Sequence, residues 1–184
     1  MVRKIFGDKR NQTETAQSGD NFRETEIAPD LETNVQAMKD IFADCSDIIF
    51  RSFMVGGSVK AVVIFTRLLS NTEGIFKALI RPLMHQQIET VDVQEIFETK
   101  LPVSSYIEIH SYDQAAENVL TGNPVIFFDG QTACFSVNLE RWQNRPIEEP
   151  TSESVVRGPR EGFTESIEVN TSLLRRKIRN PGLK

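Results

Sequence analysis

Residues 47–69 read DIIFRSFMVGGSVKAVVIFTRLL and contain the longest β-rich pattern of the chain. Two runs rich in β-branched and aromatic residues, 48–55 and 59–65, flank Gly56, Gly57 and Ser58. Such runs around a two-glycine turn predict a β-hairpin, because glycine adopts the positive φ angles of the turn at little cost. Residues 56–60 lack the Gly-x-x-x-x-Gly-Lys-Ser/Thr spacing of a phosphate-binding loop, so we reject a nucleotide site there.

A second hairpin is predicted at residues 123–139, NPVIFFDGQTACFSVNL. Asp129 and Gly130 fit a two-residue type I′ turn, whose central positions both need positive φ. We therefore interpret Asp129 as a turn residue and not as a catalytic carboxylate. Residues 104–111, SSYIEIHS, alternate between polar and apolar side chains and predict a half-buried strand with His110 on its polar face.

Helical signals surround these strands. Asp30 is a plausible N-cap, and apolar residues recur at helical spacing over 31–42. Further helices are predicted within 70–86, where Pro82 should distort or end the helix, within 91–101, and over 112–122, which Gly122 closes. The order α-β-β-α-α-β-α-β-β predicts an α/β (α+β) domain over 30–141, with a small mixed or antiparallel sheet and helices packed on it. Residues 1–29 are interpreted as a disordered leader and 142–158 as a linker.

The composition restricts the functional classes. No run approaches the roughly 18 consecutive apolar residues of a membrane span, and the N-terminus lacks the apolar core of a signal peptide. No two of Cys45, His85, His110 and Cys134 share metal-ligand spacing, so we expect these side chains to be structural. Paired carboxylates, nucleophile elbows and glycine-rich phosphate loops are also missing from the sequence. We expect a protein that is not an enzyme and needs no cofactor.

Charge is distributed unevenly along the chain. Residues 151–184 carry a net charge of +3, although the whole chain carries −5. A basic tail can bind nucleic acid, and a nucleic-acid-binding module is the alternative function at this point. Against that alternative, the basic residues cluster at one helix end and no aromatic residues are interleaved with them.

The most distinct helix signal spans 159–180. Gly158 and Pro159 favour a helix start, acidic residues occupy the early turns, and basic residues occupy the last turn. One narrow apolar stripe comprises Phe163, Ile167, Leu174 and Ile178, whereas Val169 and Leu173 point almost the opposite way. A helix with two apolar faces needs two coverings, of which the α/β domain supplies one.

Three segments carry a family resemblance: 45–57 (CSDIIFRSFMVGG), 119–137 (VLTGNPVIFFDGQTACFSV) and 145–184, which contains Arg-Gly-Pro-Arg-Glu-Gly-Phe at 157–163. Over roughly residues 30–184 the chain resembles the A subunit of GerA-type spore germinant receptors, and 145–184 resembles the stretch that joins its two cytoplasmic subdomains. Residues 65–69 depart from the family's usual Tyr-Ile-Asp-Gly-Leu-like strand end, so no role is carried over to that loop.

The resemblance implies a first subdomain with its connecting helix, followed in the family by a second subdomain and membrane helices. It implies a non-enzymatic interaction and signal-relay domain on the cytoplasmic face of the spore inner membrane. The implied partners are the receptor's B and C subunits and other A subunits, with membrane contact only through the missing C-terminal part. Our candidate interface or relay residues are Arg157, Arg160, Glu161, Phe163, Arg175 and Arg176. The alternative is that they only cap and pack the helix.

Overall fold

The computed structural model describes residues 26–85, 92–139 and 165–183. Its elements are, in chain order, α1 (Leu31–Ile41), β1 (Ile48–Val55), β2 (Val59–Thr66), α2 (Thr72–Gly74), a π-helical stretch (Ile75–Ile80), α3 (Arg81–Met84), α4 (Val93–Thr99), β3 (Tyr106–Ile109), α5 (Tyr112–Thr121), β4 (Val125–Phe128), β5 (Cys134–Val137) and α6 (Ile167–Lys177). The segment from α2 to α3 is continuous and corresponds to one predicted helix. The predicted order of elements is therefore confirmed.

The five strands form one sheet in the order β1-β2-β4-β5-β3, and every neighbouring pair is antiparallel. The sequence predicted either a mixed or an antiparallel sheet, and the sheet is antiparallel. The first hairpin has an unbroken register from Ile48 opposite Thr66 to Val55 opposite Val59. Gly56 and Gly57 have φ angles of 57° and 75°, which confirms the predicted glycine turn.

Helices cover both faces of the sheet. On one face, α1 and α5 pack on Val62, Ile64 and Phe127. On the other face, α4 and the helical segment that includes α3 pack on Val63 and Phe128. Alternate residues of one strand thus enter two different cores, which is the period-2 pattern of a strand buried on both sides.

The N-terminal boundary of the domain lies earlier than predicted. Residue 26 pairs with Ser111, and Ile27 is buried with 3% exposure, although both belong to the predicted leader. The buried Asn34 side chain holds this segment: its amide donates to the Ala28 carbonyl at 2.7 Å and its oxygen accepts from the Tyr112 hydroxyl at 2.6 Å. A single apolar residue in a polar stretch gave no periodic signal, which is why sequence patterns missed this contact.

Local signals at the helix ends are largely confirmed. Asp30 caps α1, and its Oδ2 accepts from the Thr33 backbone amide at 2.7 Å. The hydrogen bonds from the Thr33 side chain and backbone lower the pKa of Asp30. Pro82 lies where the π-helical hydrogen-bond pattern gives way to α3, as its missing N–H leads one to expect.

The prediction of a two-residue type I′ turn in the second hairpin is wrong. β4 ends at Phe128 and β5 begins at Cys134, and of the Asp-Gly pair only Gly130 has a positive φ, 82°. The Asp129 carboxylate accepts from the backbone amide of Leu31 at 3.3 Å. This loop therefore reaches the start of α1, and Asp129 serves a structural role across the domain.

Gly122 provides a test of close packing. It ends α5 with φ 97°, and a Cβ built there would lie 2.9 Å from the Leu69 Cβ and 3.1 Å from the Leu69 carbonyl oxygen. We expect Gly122→Ala to lower the free energy of unfolding by about 2–4 kcal/mol, since left-handed strain and overpacking add. The measurement is urea denaturation.

Gly57→Ala is the matched control, because Gly57 also has a positive φ but has no atom within 4 Å of the added Cβ. Gly57→Ala should lower the free energy of unfolding by about 1 kcal/mol, which is the cost of the left-handed backbone strain alone. Equal losses for the two variants would contradict the packing account.

Candidate interaction site

Helix α6 and the residues after it form the candidate site. Ser166 caps the helix, with its Oγ accepting from the Val169 amide at 3.5 Å. The described helix ends at Lys177, three residues before the predicted end, because Ile178 leaves the helical conformation, with φ −109° and ψ 85°. Residues 159–164 of the predicted helix lie outside the described part of the chain, as does the linker 142–158.

A buried ion pair joins α6 to the α/β domain. Arg175 Nε donates to Asp47 Oδ2 at 2.9 Å, and Arg175 Nη2 donates to Asp47 Oδ1 at 2.6 Å. The two side chains are only 4% and 12% exposed. This two-bond geometry is the strong form of an arginine–carboxylate contact, and it fixes orientation as well as distance.

The Arg175 guanidinium also holds the chain that follows α6. It donates to the Asn180 carbonyl at 3.1 Å and to the Leu183 carbonyl at 3.0 Å. The Cys45 thiol donates to the Pro181 carbonyl at 3.1 Å from the α1–β1 loop. Residues 180–183 are thus bonded to the same loop that provides Asp47.

Of the six predicted interface residues, the described part of the chain contains only Arg175 and Arg176, and these two differ in burial. Arg175 is 3% exposed and makes its polar contacts within this chain. Arg176 is exposed on α6. Arg157, Arg160, Glu161 and Phe163 lie outside the described residues. Sequence reasoning missed Asp47, because nothing local indicates which of the many acidic residues pairs with Arg175 across 128 positions.

The fully buried residues of α6 are polar, and the most exposed apolar residue of the helix is Ile167. Ser172 and Arg175 are the buried residues of the helix. The apolar stripe, which we define as Ile167, Leu174 and Ile178, is 78%, 37% and 44% exposed. Val169 and Leu173, predicted to form a second apolar face, are half-buried. Within the described residues, Ile167 is largely uncovered, and Leu174 and Ile178 are each partly exposed.

The sequence also contains two cysteines and two histidines as possible metal ligands. Burial raises the pKa of the Cys134 thiol. His85 and His110 are exposed. Over residues 26–85, 92–139 and 165–183, no three His, Cys, Asp or Glu side chains cluster in a way that could hold a metal ion. The same ranges contain no helix with the length and hydropathy needed to cross a bilayer.

A family model described as Bacillus/Clostridium GerA spore germination protein matches residues 36–184. The chain belongs to the GerA family. Relatives include the uncharacterized membrane protein YfkQ of Bacillus subtilis, 35% identical over 159 residues, and spore germination protein KA of the same organism, 34% identical over 161 residues. These matches cover 86% and 85% of this GerA-family chain but only 31% and 30% of the relatives. The chain thus spans about a third of their length.

A solved structure confirms the fold. The N-terminal domain of the A subunit of the Bacillus megaterium spore germinant receptor GerK3 superposes with a TM-score of 0.61 at 18% identity. The match covers 85% of this chain and 58% of that one. The GerA-family chain therefore has the fold of a germinant-receptor A-subunit N-terminal domain.

The two cysteines allow a direct test of α6 docking. Arg175→Ala leaves the Asp47 carboxylate without its partner, so we expect residues 178–183 to separate from Cys45. The rate of Cys45 alkylation by iodoacetamide, located by peptide mass mapping, should rise roughly tenfold or more, since local opening governs access to a buried thiol. Cys134, buried in the sheet, is the internal standard.

Arg179→Ala is the matched control for that experiment, because it removes an exposed charge from the same segment. Its Cys45 alkylation rate should equal that of the parent chain. An unchanged rate in Arg175→Ala would show that the ion pair does not hold the segment.

Proposed function

We propose that this GerA-family chain is a non-enzymatic interaction and signal-relay domain of a nutrient germinant receptor A subunit that acts in spore germination. The observation that carries the proposal is the asymmetry of α6. The helix is fixed to the domain through a buried ion pair and presents an apolar stripe on its other side. A helix with one held face and one open face can transmit a displacement from a neighbour to the domain.

The ion pair connects α6 to the first hairpin of the sheet. Asp47 is the residue immediately before β1, and its carbonyl accepts from the Arg67 amide at the far end of the hairpin, 2.9 Å away. A shift of Arg175 thus acts on the start of the edge strand and on the end of β2. Removing one partner of a buried pair costs several kcal/mol, because the other charge is left buried and unpaired. A displacement of α6 that pulls Arg175 away from a still-buried Asp47 is therefore unfavourable.

The proposed partners follow from the length of the relatives and from the open stripe. Relatives are about three times as long as the match, and the GerK3 domain also extends beyond it. We propose that the apolar stripe packs on the rest of the receptor A subunit. The B and C subunits and other A subunits would then be reached through the full-length protein at the cytoplasmic face of the spore inner membrane.

Arg157, Arg160, Glu161 and Phe163 remain part of the proposal as interface or relay residues. Phe163 belongs by helical spacing to the same stripe as Ile167, so an apolar partner would contact both. Arg175 has a different proposed role: it holds the relay helix on the domain. Arg176 lies on the exposed surface and remains a candidate contact.

The nucleic-acid alternative receives no support. Arg175, one of the basic residues on which it depended, is buried and paired with Asp47. Phosphate binding depends on accessible cationic side chains. Because Arg175 is buried, the end of α6 has fewer accessible cationic side chains than the sequence indicated.

The apolar stripe can be tested in the full-length receptor. Ile167→Ser combined with Ile178→Ser should impair the germination response to nutrient, because it removes the apolar contact and leaves the ion pair intact. The melting temperature of the isolated chain should change by no more than about 2 °C, since both side chains are exposed. Charge reversal at Arg157 and Arg160 should act in the same way.

Ile107→Ser is the matched control, because Ile107 is an exposed isoleucine on β3 with 60% exposure. It should leave germination unchanged. A normal response in the stripe variant would contradict the relay role of α6, and a large loss of stability would indicate that the stripe packs within this chain.

A further inference from the structure

Among the described residues, the outer edge of β1 offers backbone groups that no other strand pairs. The Asp129 amide donates to the Lys60 carbonyl, so the even-numbered residues of β2 bond β4 and its odd-numbered residues bond β1. Ile49 lies opposite Phe65, so the odd-numbered residues of β1 are the ones that form backbone hydrogen bonds with β2. The amides and carbonyls of Phe50, Ser52 and Met54 consequently point away from the sheet. Within the described residues they have no backbone hydrogen-bond partner.

Within the described part of the chain, this edge has few of the features that prevent the addition of another strand. β1 is eight residues long, contains no proline, and keeps an unbroken register with β2. The other edge strand, β3, has only four residues. Arg51 is the one charged residue of β1. A long, regular, largely apolar edge is a template for the addition of another strand.

A groove runs beside this edge, between α1 and the outer strands. It has a volume of about 560 Å³, and α1 provides one wall with Leu31, Val35 and Lys39. Ser52, Met54 and Lys60 line it from the strands. Phe50, the next residue of the same alternation, packs in the core beneath α1, so Ser52 and Met54 belong to the groove face. The residues with outward backbone groups are thus those whose side chains face α1.

The rim of the groove is cationic. Lys39 and Lys60 outnumber the single acidic lining residue, Glu32, although the chain as a whole carries a net charge of −5. The floor is apolar, with Val62 buried beneath and Met54 40% exposed. Apolar and acidic side chains on one face of an incoming strand would complement this surface.

We infer that β1 and α1 form a binding groove for an extended peptide segment of a protein partner, which adds to the sheet as a sixth strand. The amide and carbonyl groups of Phe50, Ser52 and Met54 bond the peptide backbone. An apolar side chain of the peptide enters the groove beside Val35 and Met54, and flanking carboxylates pair with Lys39 and Lys60. This surface is separate from α6 and does not depend on the function proposed for that helix.

Charge disfavours a second copy of the chain as the occupant. A copy that paired through its own β1 would bring Phe50, Ser52 and Met54, and no carboxylate, to the groove face, because Arg51 lies on the other face of the sheet. Symmetric pairing would also bring two cationic rims towards each other, which is unfavourable.

The test uses the full chain and a fluorescein-labelled heptapeptide, Thr-Glu-Thr-Val-Thr-Glu-Thr, whose valine and glutamates share one face. Binding is measured by fluorescence anisotropy. We expect the glutamate peptide to bind roughly tenfold or more tightly than the version with lysines in place of glutamates. Lys39→Glu combined with Lys60→Glu should reverse this preference.

Backbone pairing is tested separately. Methylation of the peptide's central valine amide should weaken binding roughly tenfold, because it removes a donor and leaves the side chains unchanged. Ser52→Pro should do the same from the protein side, since the Ser52 amide faces outward and an edge strand tolerates proline at such a position. Ser52→Ala, which keeps the amide, is the control and should bind normally.

Three results would overturn the inference. The first is no binding at about 1 mM peptide. The second is binding that Ser52→Pro and amide methylation leave unchanged while circular dichroism shows both proteins folded. The third is a dimer of the unliganded chain in sedimentation velocity that Ser52→Pro dissociates, which would assign the edge to a second copy.

Discussion

The ion pair between Asp47 and Arg175 is the contact on which the placement of α6 depends. It connects the residue before the edge strand with a helix 128 positions further along the chain, and both side chains are removed from water. An unpaired charge at either position would be costly, so the geometry of each residue constrains the other. The carbonyls of Asn180 and Leu183 take the remaining donors of Arg175, which extends the constraint to the end of the described chain.

The domain itself follows from ordinary burial. An antiparallel sheet with helices on both faces leaves two strand edges, and here they differ in length and protection. Helix α1 packs towards the middle of the sheet and leaves the outer part of β1 with an open groove. The molecule thus presents two surfaces of different chemistry: an apolar helix stripe at α6, and an edge with a cationic groove at β1. The first carries the proposed relay, and the second fits an extended acidic peptide.

Local signals made much of the fold predictable. The strands of the first hairpin, its glycine turn and the Asp30 cap are encoded by neighbouring residues, and all three are present. What was missed depends on distant contacts. The Asp129 loop is longer than a type I′ turn and bonds the start of α1. Ile27 is buried, and its backbone amide donates to the distant His110 carbonyl at 3.1 Å. The fully buried residues of α6 are the polar Ser172 and Arg175, so the apolar pattern of the helix could not identify the partner of Arg175.

A double-mutant cycle measures whether the Asp47–Arg175 ion pair holds α6 on the domain. Amide hydrogen exchange over residues 167–177 gives the opening free energy of α6 in the parent chain, Asp47→Asn, Arg175→Gln and the double variant. We expect the double variant to lose little more opening free energy than either single variant, with a coupling free energy of at least about 1.5 kcal/mol. Losses that add to within about 0.5 kcal/mol would show that the two residues act independently and would contradict it.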